Sequence, residues 1–241
     1  MGRPLLALSL LALTSAAPAA GQVALGSRAI SWARIDPQPP AHVIAFVKPG
    51  RALPLRSRPF GPIIARVGAT TPFGSRRALG VVTTHRGRWL GVSDPGLGNN
   101  RLGWVDARTT GLQYARTRLQ LVVDLSERAL VVRRDGQTVR RLRVGVGRPG
   151  SPTPTGRFSV TDKLDGHAYS AYYGCCILAL SATQPTLPAG WTGGNRIAIH
   201  GTPSPGGIGS AVSAGCLHAG EADLRYLMRT VRLGTPVVIR S

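Results

Sequence analysis

Short hydrophobic runs separated by proline and glycine follow one another from about residue 41 to residue 113. Runs of this length with regular turn signals are typical of strands in small antiparallel folds. The pattern therefore predicts a mainly β module, with strands at Val43 to Val47, Ile63 to Val67, Ala78 to Thr83, Trp89 to Val92 and Gly103 to Asp106.

A second β region begins near residue 117, where Leu119 to Leu125 opens with alternating apolar and polar positions. The Asp135-Gly136 pair between two hydrophobic runs predicts a two-residue hairpin, because both residues tolerate positive φ. Further strands are predicted at Leu142 to Gly147, Arg157 to Thr161, Ile177 to Leu180, Arg196 to His200 and Pro236 to Arg240.

One helix is predicted before the last strand. Four apolar residues repeat there with helical spacing: Leu224, Leu227, Met228 and Val231. Acidic residues precede this stripe, at the positive end of the helix dipole, and Gly234 follows it. We expect the stripe to lie on the sheet.

The first 20 residues have the three parts of a secretory signal peptide: one basic residue, an apolar run and a small-residue stretch. The apolar run is too short to span a bilayer. Residues 21–40 are rich in alanine, glycine and proline, which predicts a linker. The expected location is the periplasm or the cell wall, with no transmembrane segment in the mature chain.

The formal net charge is +20, which favours polyanionic partners. Export argues against nucleic acid and leaves anionic cell-wall polymers as candidates. The basic residues are nevertheless spread along the whole chain, and this favours a compositional bias over a dedicated binding patch.

Three cysteines in an exported protein leave at least one free thiol. Adjacent cysteines bridge only with strain, so a bond between Cys175 and Cys176 is an alternative, and the favoured interpretation is two small unpaired core residues. Cys216 lies instead in a short Ser-Ala-Gly-Cys segment that follows His200 by a proline- and glycine-rich loop.

His200 and Cys216 are candidates for a base and a nucleophile. A cysteine attacks as its thiolate, and a neighbouring imidazole can accept the thiol proton. Gly215 lets the backbone bend sharply, which can turn successive N–H groups toward a developing oxyanion. On chemistry alone, two alternatives stay open: a metal site with His218 as a third ligand, which the spacing disfavours, and a buried structural cysteine.

Several segments, in order, resemble the catalytic domain of the L,D-transpeptidases, the YkuD-type family. They are residues 153–160, His200-Gly201-Thr202, Ser213 to Leu217 and residues 234–239, within a stretch of about 117–241. The stretch before it, with Gly87 to Leu90 and Asn99 to Val105, is similar to bacterial SH3-like modules.

The resemblance implies a mainly β fold: an SH3-like β-barrel module followed by a β-sandwich catalytic domain with one short C-terminal helix. It implies an enzyme without cofactor or metal that joins peptidoglycan stem peptides. Cys216 would attack a tetrapeptide stem and release its terminal D-alanine, with His200 as base, oriented by a backbone carbonyl near Gly201. The resemblance also implies that three residues shape the turn and the oxyanion site: Gly215, Ser213 and Gly201. Three others would contact the substrate: His218, Thr202 and Tyr173.

Two positions depart from the family pattern. Ala214 stands where the family usually has a polar residue, and His218 stands where it usually has arginine. Histidine is only partly charged near neutrality, so carboxylate binding is expected to be weaker or pH-sensitive. The main rival is therefore a wall-binding protein with little or no activity. A sortase, a papain-like endopeptidase and a serine hydrolase fit the order of motifs less well.

Overall fold

Two β-sheets make up most of the fold, and they follow one another along the chain. The computed structural model describes residues 41–241; the expected signal peptide and linker lie outside the described residues. Seven strands form the first sheet: β1 (His42–Val47), β2 (Leu53–Arg56), β3 (Ile63–Val67), β4 (Ala78–His85), β5 (Trp89–Val92), β6 (Gly103–Asp106) and β7 (Leu112–Thr117). Their order is β3-β2-β6-β5-β4-β1-β7.

The second region holds ten strands and one helix. They are β8 (Leu119–Asp124), β9 (Ala129–Arg134), β10 (Gln137–Arg143), β11 (Val146–Gly147), β12 (Gly156–Asp165), β13 (Cys176–Thr183), β14 (Arg196–His200), β15 (Ala211–Ser213), β16 (Leu217–His218), α1 (Glu221–Thr230) and β17 (Pro236–Arg240). Eight strands form one mixed sheet in the order β10-β9-β8-β17-β12-β13-β14-β16, while β11 and β15 pair separately.

Each sheet has its own hydrophobic core. Apolar residues that face inward from the strands form the first core, which includes Leu55, Leu79, Val92 and Val105. The second core is larger and includes residues from the centre of the mixed sheet and Leu224 and Leu227 of α1. The predicted mainly β class and the single α-helix are thus confirmed for residues 41–241.

The predicted hairpin is confirmed at β9 and β10. Asp135 has φ +52° and Gly136 has φ +79°, and Arg134 pairs with Gln137 across the turn. Two positive φ values in a two-residue loop match the right-handed twist of the flanking strands.

Strand prediction failed at five places. Four strands were not predicted: β2 contains Pro54, β7 has few apolar residues, and β15 and β16 are only three and two residues long. The predicted strand Leu142 to Gly147 is instead divided between two sheets. Its backbone changes partner at Gly145, whose N–H donates to the carbonyl of His218 at 2.8 Å.

Polar side chains of the first sheet's loops contact the strands of the second. Thr71 donates its hydroxyl to the buried carboxylate of Asp162 in β12. Asn99 bonds both the N–H and the carbonyl of Thr183, at 2.9 and 2.6 Å. Both contacts lie beside residues that shape the site described next.

Candidate active site

A cleft of about 150 Å³ opens beside strand β14. Residues from separate parts of the chain line it, including Phe73 from the first sheet's region and Tyr173, Arg196, His200, Cys216 and His218 from the second. The structure therefore brings together four of the residues that the sequence singled out.

The register of two parallel strands places Cys216 beside β14. Leu217 and His218 of β16 pair with Ile199 and His200 of β14. Cys216 directly precedes this pair, so it lies level with Ala198, two residues from His200 along the strand. Two residues of strand span about 7 Å, and the side chains of both His200 and Cys216 line the same cleft.

The turn that carries Cys216 depends on Gly215 and Ser213. Gly215 has φ +121°, and a Cβ there would collide with the side-chain nitrogen of Gln184. The hydroxyl of Ser213 accepts the Gly215 N–H at 3.0 Å and donates to the Cys216 carbonyl at 2.6 Å. Both residues therefore shape the turn, but the Gly215 N–H is committed within it.

Two further residues hold this turn, and sequence reasoning gave neither of them a role. Thr153 donates its hydroxyl to the Gly215 carbonyl at 2.8 Å, and Gln184 donates to the Ala214 carbonyl at 3.0 Å. Both are nearly fully buried. Thr153 stands in one of the segments that carry the family resemblance, whereas no local pattern marks Gln184.

A backbone carbonyl orients the imidazole of His200. Its Nδ1 lies 2.6 Å from the carbonyl oxygen of Gly201. A carbonyl only accepts hydrogen bonds, so Nδ1 carries the proton and Nε2 keeps a free lone pair. The carbonyl contact implied by the family resemblance is therefore present.

Aromatic rings enclose this imidazole. Tyr173 meets it edge-on at 4.9 Å between ring centroids, Tyr172 lies 5.9 Å away, and His218 lies 4.9 Å away. The pKa of His200 is lowered to about 4, mainly by burial and in addition by the charge of His218, although the hydrogen bond to Gly201 opposes both. His200 is therefore neutral, and able to accept a proton, throughout the physiological pH range.

The free thiol of Cys216 is also neutral at rest. Burial raises its pKa to about 11, and a hydrogen bond from the backbone of Ala198 only partly opposes this. The thiol donates weakly to the Arg196 carbonyl, with 3.8 Å between sulfur and oxygen. The sequence suggested that the imidazole takes the thiol proton; because burial disfavours both charged forms, the resting pair is instead thiol and neutral imidazole.

The raised thiol pKa predicts how alkylation of Cys216 depends on pH. Iodoacetamide reacts with the thiolate, so the rate should rise about 100-fold from pH 8 to pH 10, because the thiolate fraction grows tenfold per pH unit below a pKa of about 11. Intact-mass spectrometry of the native protein measures this rate.

A free peptide thiol is the matched control. With a pKa of about 8.5, its rate should rise only about fourfold over the same range. If the protein follows the free thiol instead, then Cys216 is hydrated and its burial in the cleft is wrong.

The other predicted site residues fall into two groups. His218 and Tyr173 line the cleft. Gly201 is not among the cleft-lining residues, and its N–H donates to the Tyr173 carbonyl at 2.7 Å. Thr202 is not among the cleft-lining residues, and its hydroxyl accepts the N–H of Ser204 at 3.1 Å.

The prediction of two unpaired core thiols is wrong. Cys175 and Cys176 form a disulfide, which leaves Cys216 as the free cysteine of the chain. Cys176 begins β13, but Cys175 still belongs to the preceding turn. Adjacent side chains point to opposite faces only in an extended strand, and the turn removes that obstacle.

Two further observations concern metal binding and membrane-spanning helices. Within residues 41–241, no group of three histidine, cysteine or acidic side chains is arranged to hold a metal ion. No helix in the same residues is long and apolar enough to cross a membrane.

Comparison with known proteins identifies the family to which the second region of the chain belongs. The model of the L,D-transpeptidase catalytic domain, YkuD, matches residues 118–239, half of the chain. The chain therefore belongs to the L,D-transpeptidase (YkuD) family.

Two curated relatives bear the name "probable L,D-transpeptidase ErfK/SrfK". The Salmonella typhimurium protein is 32% identical over 133 residues, covering 49% of this chain and 43% of the relative. The Escherichia coli protein is 30% identical over 118 residues, covering 44% of this chain and 38% of the relative. The chain thus spans less than half the length of either relative.

Solved structures that match part of the chain include an L,D-transpeptidase from Mycobacterium smegmatis. It has 19% sequence identity and a TM-score of 0.42, and the match covers 84% of this chain and all of that one. The Enterococcus faecium L,D-transpeptidase matches 51% of this chain and 50% of its own, with 21% identity and a TM-score of 0.40.

Proposed function

We propose that the protein is a peptidoglycan L,D-transpeptidase in which Cys216 is the nucleophile and His200 is the general base. The observation that carries this proposal is the free thiol of Cys216 in the same cleft as His200, whose Nε2 lone pair is unused. Family membership supports the reaction class.

The first half of the reaction transfers the acyl group to the enzyme. Nε2 of His200 takes the thiol proton as the sulfur bonds to the carbonyl carbon of the third stem residue. The resulting oxyanion accepts a hydrogen bond from the N–H of Cys216, because the Gly215 N–H is occupied by Ser213. His200 then gives its proton to the leaving nitrogen, and D-alanine departs from a thioester.

The second half returns the enzyme to its starting state. An amine of a second stem attacks the thioester, and His200 accepts the amine proton. Collapse of the second tetrahedral intermediate forms the new peptide bond and frees the sulfur, which recovers its proton from His200. Because thiol and imidazole are both neutral at rest, each proton transfer accompanies bond formation rather than preceding it.

The rest of the chain supports a wall location. The first 20 residues resemble a secretory signal, and the net charge of +20 suits retention by anionic wall polymers. The seven-stranded sheet of residues 42–117 is compatible with an SH3-like module. These features would keep the enzyme near its peptidoglycan substrate.

Incubating the purified protein with a tetrapeptide-stem muropeptide tests the proposed function. We expect release of D-alanine and formation of a cross-linked dimer, both followed by mass spectrometry. A tripeptide stem, which lacks the leaving residue, is the control and should release nothing. If the tetrapeptide stem also stays intact, the transpeptidase proposal fails and a wall-binding protein without activity becomes the better explanation.

A further inference from the structure

Arg196 is the only permanently charged side chain among the described residues that line the cleft. No carboxylate is among the residues of 41–241 that line it, and burial lowers the pKa of both His200 and His218, which favours their neutral forms. A negatively charged group that enters the cleft therefore meets one cation, that of Arg196.

Strand geometry places this cation on the opposite side of the sulfur from the base. Arg196, Ala198 and His200 alternate onto one face of β14. Cys216 lies level with Ala198, between the other two, and its sulfur is 3.8 Å from the Arg196 carbonyl. The side chain of Arg196 thus starts about 7 Å along the strand from the level of the nucleophile, a separation of two residues.

The guanidinium is held in place yet keeps free donors. Nη1 donates to the hydroxyl of Thr161 at 3.1 Å and lies 3.6 Å from a carboxylate oxygen of Asp162, which is fully buried. The guanidinium also lies over the ring of Phe73, 5.6 Å from its centroid. A guanidinium has five N–H donors, and these contacts engage Nη1, while 19% of the side chain is exposed.

We propose that Arg196 binds the terminal carboxylate of the donor stem. This inference rests on the proposed function. In a tetrapeptide stem, the terminal carboxylate lies one residue beyond the carbonyl that Cys216 attacks, or about 3.8 Å between successive Cα atoms. A charge-assisted hydrogen bond adds about 3 Å, so the carboxylate can reach a donor about 7 Å from the attacked carbonyl, and Arg196 lines the same cleft as Cys216. Arg196 thereby supplies the permanent positive charge that His218 lacks.

The first sheet's region takes part in this binding site. The ring of Phe73 contacts the guanidinium. Thr71 donates its hydroxyl to the carboxylate of Asp162, which also faces Arg196. Both residues come from the loop between β3 and β4. Residues 41–117 therefore complete the donor site in addition to any role in attachment to the wall.

Two donors that differ at one group test the assignment: a tetrapeptide stem with a free terminal carboxylate, and the same stem ending in a carboxamide. For Arg196→Gln we expect KM for the acid to rise by about tenfold or more, because a charge-assisted hydrogen bond is lost. KM for the amide should change less than about twofold. Arg196→Lys should recover part of the preference for the acid over the amide, since lysine keeps the positive charge but lacks the planar, multi-donor geometry of the guanidinium.

Removing Arg196 alone leaves Asp162 as a buried charge without its partner, which destabilises the fold. The double variant Asp162→Asn/Arg196→Gln removes both charges, and asparagine keeps the shape of Asp162. It should show the same loss of preference for the acid, with a thermal unfolding midpoint close to that of the wild type. This variant separates loss of binding from loss of structure.

The outcomes distinguish this inference from the proposed function. If the wild type releases D-alanine but the variants lose acid and amide turnover equally, or lose neither, then Arg196 does not bind the terminal carboxylate and the transpeptidase proposal stands. If the wild type leaves both donors intact, both proposals fail together.

Discussion

Replacing Cys216 with alanine is expected to lower D-alanine release by at least about a thousandfold, because the covalent step loses its nucleophile. The cleft itself should survive, since the turn is held by Thr153, Gln184 and Ser213 and none of these bonds uses the sulfur. Rates measured by mass spectrometry at saturating tetrapeptide stem would show the loss in kcat.

The serine variant and a binding measurement are the controls. Cys216→Ser keeps the size of the side chain, but its hydroxyl is a much weaker nucleophile, so it should remain close to the alanine variant. Calorimetric titration of Cys216→Ala with the tetrapeptide stem should give unchanged affinity within about twofold. A rate within tenfold of the wild type would mean that another group carries the acyl transfer.

Replacing His200 with glutamine should lower kcat by about a thousandfold, within the range attributed to general-base catalysis. The thiol pKa of about 11 makes this loss severe, because at pH 7 only about one molecule in ten thousand would hold a thiolate without help. Stem affinity should change little, since the imidazole acts on the thiol proton rather than on the bound peptide.

His218 offers a matched control for this variant. Its ring is also buried and lies 4.9 Å from that of His200, but the backbone carbonyl of Gly201 orients His200. His218→Gln should therefore cost about tenfold or less in kcat. Equal losses in the two variants would show that the imidazoles act as a pair and that the single-base assignment is wrong.

The acid limb of the pH profile provides an independent check on the base. With a His200 pKa of about 4, the base form persists down to about pH 5, where an ordinary histidine would be mostly protonated. The pKa of His200 is shifted downward because burial disfavours the charged imidazolium.

Much of the fold could be read from local pattern. The strand Arg196–His200 has the bounds expected from its hydrophobic run, and the Asp135-Gly136 turn forms the hairpin that its residues favour. The local sequence pattern did not predict strands whose position depends on pairing with other strands. β7 has few apolar residues, yet it pairs along the whole of β1, so its position depends on long-range hydrogen bonds.

The sequence alone determined which residues could carry chemistry at the site, because a free cysteine after a glycine and a histidine at a strand end are visible as residue types and spacing. Only the tertiary structure decided their electrostatic state and their support. Burial fixes the thiol and the imidazole as neutral, and desolvation depends on neighbours distant in sequence, such as Tyr173. The contacts of Gln184 with the cysteine turn and of Phe73 with Arg196 likewise join segments that no local pattern connects.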